Sequence, residues 1–198
     1  KNLVYPAGYF FKALFALTGT KVRVKGNKPS HLQGNVFLSN HQSSIDIGLL
    51  IGWNAYTSFL SKSSLFKIPL FGWAMRLSKC LPVYRGQRDK NTNIGIKLQK
   101  NLELGYNYSI FPEGTRSPDG TLLPFKKGIF TILFENQISC CPITIVNAHR
   151  ILSKKSFFYK SNLLDLIIHE PINPLDFPDV DSFLNKVRST IEQALESK

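Results

Sequence analysis

Short apolar runs alternate with longer amphipathic stretches along most of this chain. Apolar runs bounded by turn residues predict strands, and apolar residues recurring every three or four positions predict helices. The predicted strands are residues 22–24, 36–39, 58–60, 81–84, 108–111, 143–146 and 166–168. The predicted helices are residues 44–51, 71–77, 89–104, 128–135 and 180–196. This alternation predicts an α/β fold: a single-domain sandwich with a largely parallel mixed sheet flanked by helices.

Two residues at element boundaries sharpen this prediction. Asp179 precedes the last helix and is a suitable N-cap, because its carboxylate can accept a hydrogen bond from the first turn. Gly105 follows the helix predicted over residues 89–104 and suits the position just past a helix end, where a left-handed backbone is common. The active site of such a sheet is expected where its parallel strands end.

The first segment differs from the rest of the chain. Residues 6–17 are apolar on every side of a helix, interrupted only by Gly8 and Lys12. A helix of this kind is either deeply buried or immersed in lipid. It is short for a full span, so we predict a monotopic, membrane-associated helix in residues 1–19, ahead of an α/β domain in residues 20–198. The alternative is a helix packed wholly into the protein core.

The net charge of the chain limits the classes of partner that we expect. Its 198 residues carry a formal net charge of +12, spread along the sequence. Such a surface favours anionic partners, among them membrane lipids, a phosphorylated substrate and coenzyme A. Nucleic acid is not expected, because zinc-finger spacing, an aromatic-basic ribonucleoprotein motif and a basic heptad region are all missing from the sequence.

Cysteine usage indicates the compartment. Cys80, Cys140 and Cys141 form an odd set without metal-type spacing, and the adjacent pair begins a predicted strand. We expect Cys140 and Cys141 to be small buried residues. This usage favours a reducing, cytosol-facing location over a disulfide-rich secreted one.

A first candidate for chemistry follows the strand at residues 36–39. His41 and Asp46 are five positions apart at a strand-to-helix junction. The carboxylate can hold the imidazole in one tautomer, which leaves the other ring nitrogen to take a proton from an alcohol. We therefore predict His41 as a general base and Asp46 as its partner. The alternative is that Asp46 only caps a helix and His41 is an ordinary loop residue.

A second candidate follows the strand at residues 108–111. Pro112 and Gly114 are turn residues that place Glu113, Thr115 and Arg116 on a loop at a strand end. The guanidinium of Arg116 suits phosphate, because its planar fork can make two parallel hydrogen bonds. The alternative is an ordinary turn with a surface ion pair.

Together the two segments resemble the glycerolipid acyltransferase family, which carries Asn-His-x-x-x-x-Asp followed by Phe-Pro-Glu-Gly-Thr-Arg-Ser. Both motifs are intact here, as Asn40-His41 with Asp46 and as residues 111–117. The likeness covers roughly residues 20–150. Its weaker blocks contain Lys62, Leu65, Pro69 and Gly72, then Val83-Tyr84-Arg85, residues 125–128 and Pro142-Ile143. Two positions depart from the family pattern, since Tyr84 replaces the usual acid and Ser64 stands where a glutamate is common.

The resemblance implies transfer of a fatty acyl group from a thioester to the free hydroxyl of lysophosphatidate, that is, 1-acylglycerol 3-phosphate. It adds Lys62 and Arg85 to the substrate-binding set of Glu113, Gly114, Thr115 and Arg116. Within that set, Glu113 is expected to bond the glycerol of the acceptor or to hold Arg116. The donor is acyl-CoA or an acyl carrier protein thioester, and neither a cofactor nor a metal is expected. Gly-x-Ser-x-Gly is missing from the sequence, so direct attack by the hydroxyl is preferred over an acyl-enzyme. The alternatives are acylation of another lysolipid or of glycerol 3-phosphate, and a non-catalytic basic membrane-binding module.

Overall fold

Helices and strands alternate in the computed structural model, which describes residues 4–27, 29, 33–153, 158–160 and 162–197. The helices are α1 (Val4–Leu17), α2 (Ile45–Trp53), α3 (Phe71–Leu77), α4 (Ile94–Glu103), α5 (Lys127–Glu135), α6 (Ala148–Ile151) and α7 (Val180–Glu196). The strands are β1 (Lys21–Gly26), β2 (Val36–Ser39), β3 (Thr57–Lys62), β4 (Leu81–Val83), β5 (Asn107–Ile110), β6 (Cys140–Val146) and β7 (Leu163–Ile168). Short 3-10 turns occupy Ser63–Lys67, Arg88–Asn91 and Pro174–Asp176.

The strands form one seven-stranded sheet in the order β1-β7-β6-β2-β5-β3-β4. Strands β6, β2, β5, β3 and β4 run parallel, whereas β7 is antiparallel to β6 and pairs in parallel with β1. The predicted single α/β domain with a largely parallel mixed sheet is therefore confirmed. Because β2 and β5 are neighbours in the middle of the sheet, the loops that carry the two motifs emerge side by side.

Helices cover both faces of the sheet. Alternate residues of β2 face opposite layers: Val36 and Leu38 join a core with α4, α5 and α7, and Phe37 joins a core with α1, α2 and α6. All four residues of β2 are buried, as expected for a parallel strand covered on both sides. The site loops are thus anchored to the least exposed part of the protein.

The structure corrects some boundaries. The helix predicted over residues 89–104 begins only at Ile94, because the side chain of Asn91 bonds the backbone N–H and C=O of Tyr84 and holds a turn there. The short helix α6 was not predicted. Asp179 accepts the predicted cap bond from the Ser182 N–H at 2.7 Å, and Gly105 has the predicted left-handed backbone, with φ of +82°. His31, which has no partner motif in the sequence and is expected to be a structural or surface residue, lies outside the described residues.

Helix α1 packs on α2 through close backbone approach. A Cβ atom on Gly48 of α2 would lie 2.5 Å from the ring of Phe11, and one on Gly8 would lie 3.1 Å from the Cβ of Ala55. Phe15 is 5% exposed and joins the core. These glycines allow α1 to sit tightly against the domain, so one side of this predicted helix is part of the fold.

The opposite side of α1 faces outward. Tyr9 is 71% exposed, Phe10 61% and Leu17 87%. The helix is therefore not packed wholly into the core. None of the described helices is long and apolar enough to cross a bilayer.

Candidate active site

The loop after β2 is fixed at its first residue. The side-chain amide of Asn40 donates to the Ile145 carbonyl of β6 and accepts from the Ile145 N–H, both at 2.8 Å. Asn40 is 1% exposed, so these bonds form without competition from water. The amide thereby continues the pairing of β2 with β6 and sets the direction in which the chain leaves the sheet.

His41 and Asp46 meet as the sequence predicts. Nδ1 of His41 lies 2.8 Å from Oδ2 of Asp46, which also accepts the backbone N–H groups of Gln42 at 2.7 Å and Ser43 at 2.8 Å. Asp46 is fully buried, and its Oδ2, which already accepts two backbone N–H groups, is placed to accept from the imidazole as well. In the neutral imidazole, this contact favours the tautomer in which Nδ1 carries the proton and Nε2 has a lone pair. Asp46 both orders the loop and holds the imidazole.

The imidazole plane is also held by stacking. The ring of Phe111 lies parallel to that of His41, with 3.9 Å between centroids and 14° between planes. Only 13% of the His41 side chain is exposed. The ring is therefore restrained by a carboxylate at one nitrogen and by an aromatic face, which favours one orientation of Nε2.

Glu113 links the second loop to the first. Its carboxylate accepts the His41 N–H at 2.6 Å through Oε1 and the Leu123 N–H at 3.0 Å through Oε2. Burial raises the pKa of Glu113 to about 7, while the two backbone N–H groups act in the opposite direction. Glu113 is only 2% exposed. This geometry favours a role in positioning the loops over the substrate contact predicted from the sequence.

The predicted cationic groups lie along the same edge of the sheet. Arg116 is half-buried, and its NH1 donates to the hydroxyl of Ser44 at the start of α2. Arg85 is exposed and donates to the Gly114 carbonyl, so the ends of β4 and β5 are joined. Lys62 ends β3 and is exposed, as is Thr115 on the second loop. The edge therefore combines a histidine–carboxylate pair with several cations.

The backbone conformation at position 114 requires glycine. Its φ is +67°, and a Cβ atom there would lie 3.0 Å from the side chain of Lys126. The left-handed backbone turns the chain between Glu113, which points inward, and Thr115, which is exposed. The predicted substrate-binding role of Gly114 stays a prediction, whereas its backbone requirement follows from the geometry.

Sequence reasoning missed two supporting residues on one side of the site. Gln42 donates to the Gly120 carbonyl at 3.0 Å, and its side-chain oxygen lies 3.3 Å from Nδ1 of His149. The pKa of His149 is lowered, mainly because burial disfavours the charged imidazolium. Gln42 lies inside the first motif, so its position was a usable signal. His149 had no such signal, because it reaches the site through the short helix α6.

A third missed residue comes from the other end of the chain. Arg188 of α7 donates to the Leu123 carbonyl at 2.8 Å, and Leu123 is the residue whose N–H binds Glu113. The guanidinium also pairs with Glu192 at 2.9 Å and lies 5.5 Å from the centroid of the Phe125 ring. The C-terminal helix thus helps to hold the second loop. Among the described residues, no group of three or more His, Cys, Asp or Glu side chains is arranged to hold a metal.

This edge of the sheet combines a restrained histidine–carboxylate pair with nearby cations, which are the groups that proton abstraction beside an anionic substrate requires. Comparison with known proteins agrees with that class. The family model described as Acyltransferase matches residues 21–146, more than half of the chain. The chain therefore belongs to this acyltransferase family.

Individual relatives extend the comparison. The chain is 33% identical to a chloroplast 1-acyl-sn-glycerol-3-phosphate acyltransferase of Arabidopsis thaliana, over 89% of this chain and 49% of that protein. It is 29% identical to a 1-acyl-sn-glycerol-3-phosphate acyltransferase of Saccharomyces cerevisiae, over 94% of this chain and 63% of that protein. The chain thus spans about half the length of the plant relative.

A solved structure shares the fold. The crystal structure of the 1-acyl-sn-glycerophosphate acyltransferase PlsC from Thermotoga maritima superposes with a TM-score of 0.81. The two chains are 28% identical, and the match covers 98% of this chain and 79% of the other. The whole α/β domain therefore has a counterpart of known structure.

Proposed function

We propose that this protein transfers a fatty acyl group from a thioester donor to the free hydroxyl of 1-acylglycerol 3-phosphate, forming phosphatidate. The observation that carries the proposal is the His41–Asp46 pair at 2.8 Å, held at the end of the central strand next to a loop with Arg116. The names of the relatives support the same choice of acceptor, since those proteins are 1-acyl-sn-glycerol-3-phosphate acyltransferases.

The reaction starts with proton transfer. Nε2 of His41 accepts the proton of the acceptor hydroxyl as its oxygen attacks the thioester carbonyl carbon, forming a tetrahedral intermediate. Asp46 stabilises the imidazolium that results. The intermediate collapses, the carbon–sulfur bond breaks, and the thiolate takes the proton back from Nε2. An ester and a free thiol leave, and His41 returns to its starting state.

The acceptor phosphate is the natural ligand of the cations at this edge. Arg116 is the principal candidate because its fork can bond two phosphate oxygens, and Arg85 and Lys62 lie at the ends of neighbouring strands. Glu113 is not placed against the phosphate in this proposal. Its carboxylate instead holds the loop of His41, and a buried anion would repel the ligand.

Helix α1 gives the enzyme access to its lipid acceptor. We propose that the outer face with Tyr9, Phe10 and Leu17 lies in the acyl region of a membrane, parallel to its surface. Lys12, which is exposed on the same helix, meets anionic headgroups at the boundary. The protein would then be membrane-associated and, from its cysteine usage, cytosol-facing.

The test is an assay of the purified protein with a panel of acceptors and one acyl-CoA donor, following the release of free thiol. The panel contains lysophosphatidate, lysophosphatidylcholine and glycerol 3-phosphate at equal concentration in the same detergent. Fast thiol release with lysophosphatidate alone supports the proposal. A preference for either other acceptor would replace the substrate. Failure with all three acceptors, both with acyl-CoA and in a repeat with an acyl carrier protein thioester as donor, would favour the non-catalytic membrane-binding module.

A further inference from the structure

A second cationic site lies away from His41, in a cleft between the end of α3 and the middle of α4. The cleft has a volume of about 250 Å³. Its walls carry four cationic side chains and no acidic one, and Cys80 and Asn101 complete its polar lining. The cationic residues are Arg76, Lys79, Lys97 and Lys100. Among the described residues, none of these four forms an ion pair within 4.0 Å.

The negative ends of the helix dipoles offset only part of the positive charge of these four side chains. Arg76 lies in the last turn of α3 and Lys100 in the last turn of α4, and each of these helix ends carries roughly half a negative charge. Two such ends offset about one of the four positive charges, which leaves an excess of about three. Lys97 and Lys100 are also three positions apart on α4, a spacing at which like charges repel. A multiply charged anion would relieve this repulsion.

The backbone at Lys79 is a separate indication. Lys79 has φ of +60°, in the left-handed region where glycine is the ordinary choice after a helix. Its carbonyl accepts the buried hydroxyl of Tyr108, whose ring is fully enclosed in the core. The core thus holds Lys79 in place, and position 79 carries a lysine although glycine would adopt this backbone conformation at a lower energetic cost. Strain of this kind marks a candidate functional position.

Arg76 is oriented before any ligand arrives. Its NH2 donates to the Phe66 carbonyl at 2.9 Å, and the guanidinium lies 5.8 Å from the centroid of the Phe66 ring. One edge of the fork is therefore anchored to the protein. A guanidinium held in this way suits phosphate, because little side-chain freedom is lost when the remaining N–H groups bond oxygen.

We propose that this cleft binds a phosphorylated anion, a diphosphate or a pair of phosphate groups, at a site separate from the acceptor site. The cleft lies by the start of β4, whereas Arg85 follows its end, so the two sites are separated by roughly 13 Å at the ordinary rise of a strand. The phosphates have two possible sources: the nucleotide end of coenzyme A, or a phospholipid headgroup.

Cys80 provides a built-in reporter for the test. It lines the cleft and is partly exposed, whereas Cys140 and Cys141 are buried. Burial raises the pKa of the Cys80 thiol, so its labelling by a maleimide is best followed at mildly alkaline pH. The labelling rate of the intact protein is measured with pyrophosphate, with adenosine 3′,5′-bisphosphate and with a short-chain phosphatidate, each against sodium chloride at equal ionic strength.

We expect pyrophosphate to slow labelling at least about fivefold, and the K97Q/K100Q double variant to weaken this protection about tenfold or more, as the loss of charge-assisted bonds implies. The matched control is K160Q/K186Q, which removes two exposed lysines elsewhere and should keep full protection. Stronger protection by the bisphosphate would assign the site to coenzyme A, and stronger protection by phosphatidate to a lipid headgroup.

The proposal is overturned if none of the three anions protects Cys80 beyond sodium chloride, or if protection survives in K97Q/K100Q. Should Cys80 label too slowly in the ligand-free protein, calorimetric titration with pyrophosphate gives the same decision through the loss of affinity in that variant. Because the readout is binding, the result does not depend on acyl transfer by His41.

Discussion

Polar side chains are usually exposed and large apolar ones usually buried. The active-site edge and the outer face of α1 depart from this pattern in opposite ways. At the active-site edge, polar side chains such as Asn40, Asp46 and Glu113 are almost fully buried, and each makes identified hydrogen bonds. The exception is Oδ1 of Asp46, which has no hydrogen-bond partner among the described residues. On α1, large apolar side chains such as Phe10 and Leu17 are mostly exposed. Buried polar groups are tolerated only when they are bonded, whereas a cluster of exposed apolar groups marks a surface for a partner.

The two regions differ in what holds their side chains in place. The edge is ordered from within, because its hydrogen bonds connect β2, β5 and α7 through the protein itself. Helix α1 is anchored on its inner side, through Gly8 and Phe15, whereas its outer face is mostly exposed. If the proposed function is right, changes at the edge should affect chemistry in any solvent, and changes on α1 should matter only where lipid is present.

The largest effect is expected at the His41–Asp46 pair. His41→Ala removes the base and should lower kcat by about 10²–10⁴-fold, and Asp46→Asn should lower it substantially because the charge that stabilises the imidazolium is lost. Both are measured as thiol release in detergent, with circular dichroism to verify folding. His169→Ala is the matched control, since His169 bonds Thr144 away from the site and should keep normal turnover. Near-normal turnover of folded His41→Ala would contradict the assignment.

The next effect separates the two substrates. Arg116→Ala should raise the KM of the acceptor by roughly 10- to 100-fold, as loss of a charge-assisted contact to phosphate implies, and should change the KM of the thioester little. Arg116→Lys should restore only part of the affinity, because an ammonium cannot make the paired contact. Equal damage to both constants would instead place Arg116 in loop structure, through its bond to Ser44.

The sequence predicted the edge well because its information is local. Strand periodicity located β2 and β5, and the motif spacing placed His41 within reach of Asp46 on one short loop. Parallel neighbouring strands then brought the two loops together without any further information. The same reasoning could not find Arg188 or His149, because their contacts with the site join residues distant in sequence.

The orientation of side chains was the other limit. Glu113 was predicted to bond the glycerol of an acceptor or to hold Arg116, and in the structure its carboxylate bonds two backbone N–H groups. A motif gives the residue types on a loop but does not say which of them the left-handed turn at Gly114 directs inward. For α1, the sequence predicted lipid contact and left burial in the core as the alternative, because a helix that is apolar on all sides is compatible with both environments.

Replacing Glu113 tests whether its side chain stabilises the active-site edge in its neutral or in its ionised form. In Glu113→Gln, one backbone N–H meets an amide NH₂ and loses its acceptor, at a cost of about 1–3 kcal/mol. The pKa of Glu113 is raised from 4.5 to about 7 in the folded protein. Between these pH values the unfolded chain loses the proton first, so wild-type stability falls as pH rises and levels off above about 7. The Tm gap between wild type and Glu113→Gln should therefore shrink from pH 4.5 to 7.

The control is Glu135→Gln, which alters an exposed glutamate on α5 and should leave Tm unchanged across this range. Glu113→Gln should also reduce kcat more than either KM, because it loosens the loop of His41 without touching a substrate. A Tm gap that widens with pH would show that the ionised carboxylate, with both backbone bonds, is the form that stabilises the fold.

The smallest effect is expected on α1, and it should appear only with lipid. Phe10 is 61% exposed, so Phe10→Ser removes apolar contact worth about 1–2 kcal/mol in a membrane while disturbing little of the core. Binding to vesicles with anionic lipid, measured by flotation, should weaken roughly tenfold, and Tm and turnover in detergent should stay near wild type. Leu175→Ser is the matched control, because Leu175 is 64% exposed but lies outside α1, in the turn before α7. If both variants bind vesicles as wild type does, the outer face of α1 is not the lipid contact, and the contrast between the two regions loses its functional meaning.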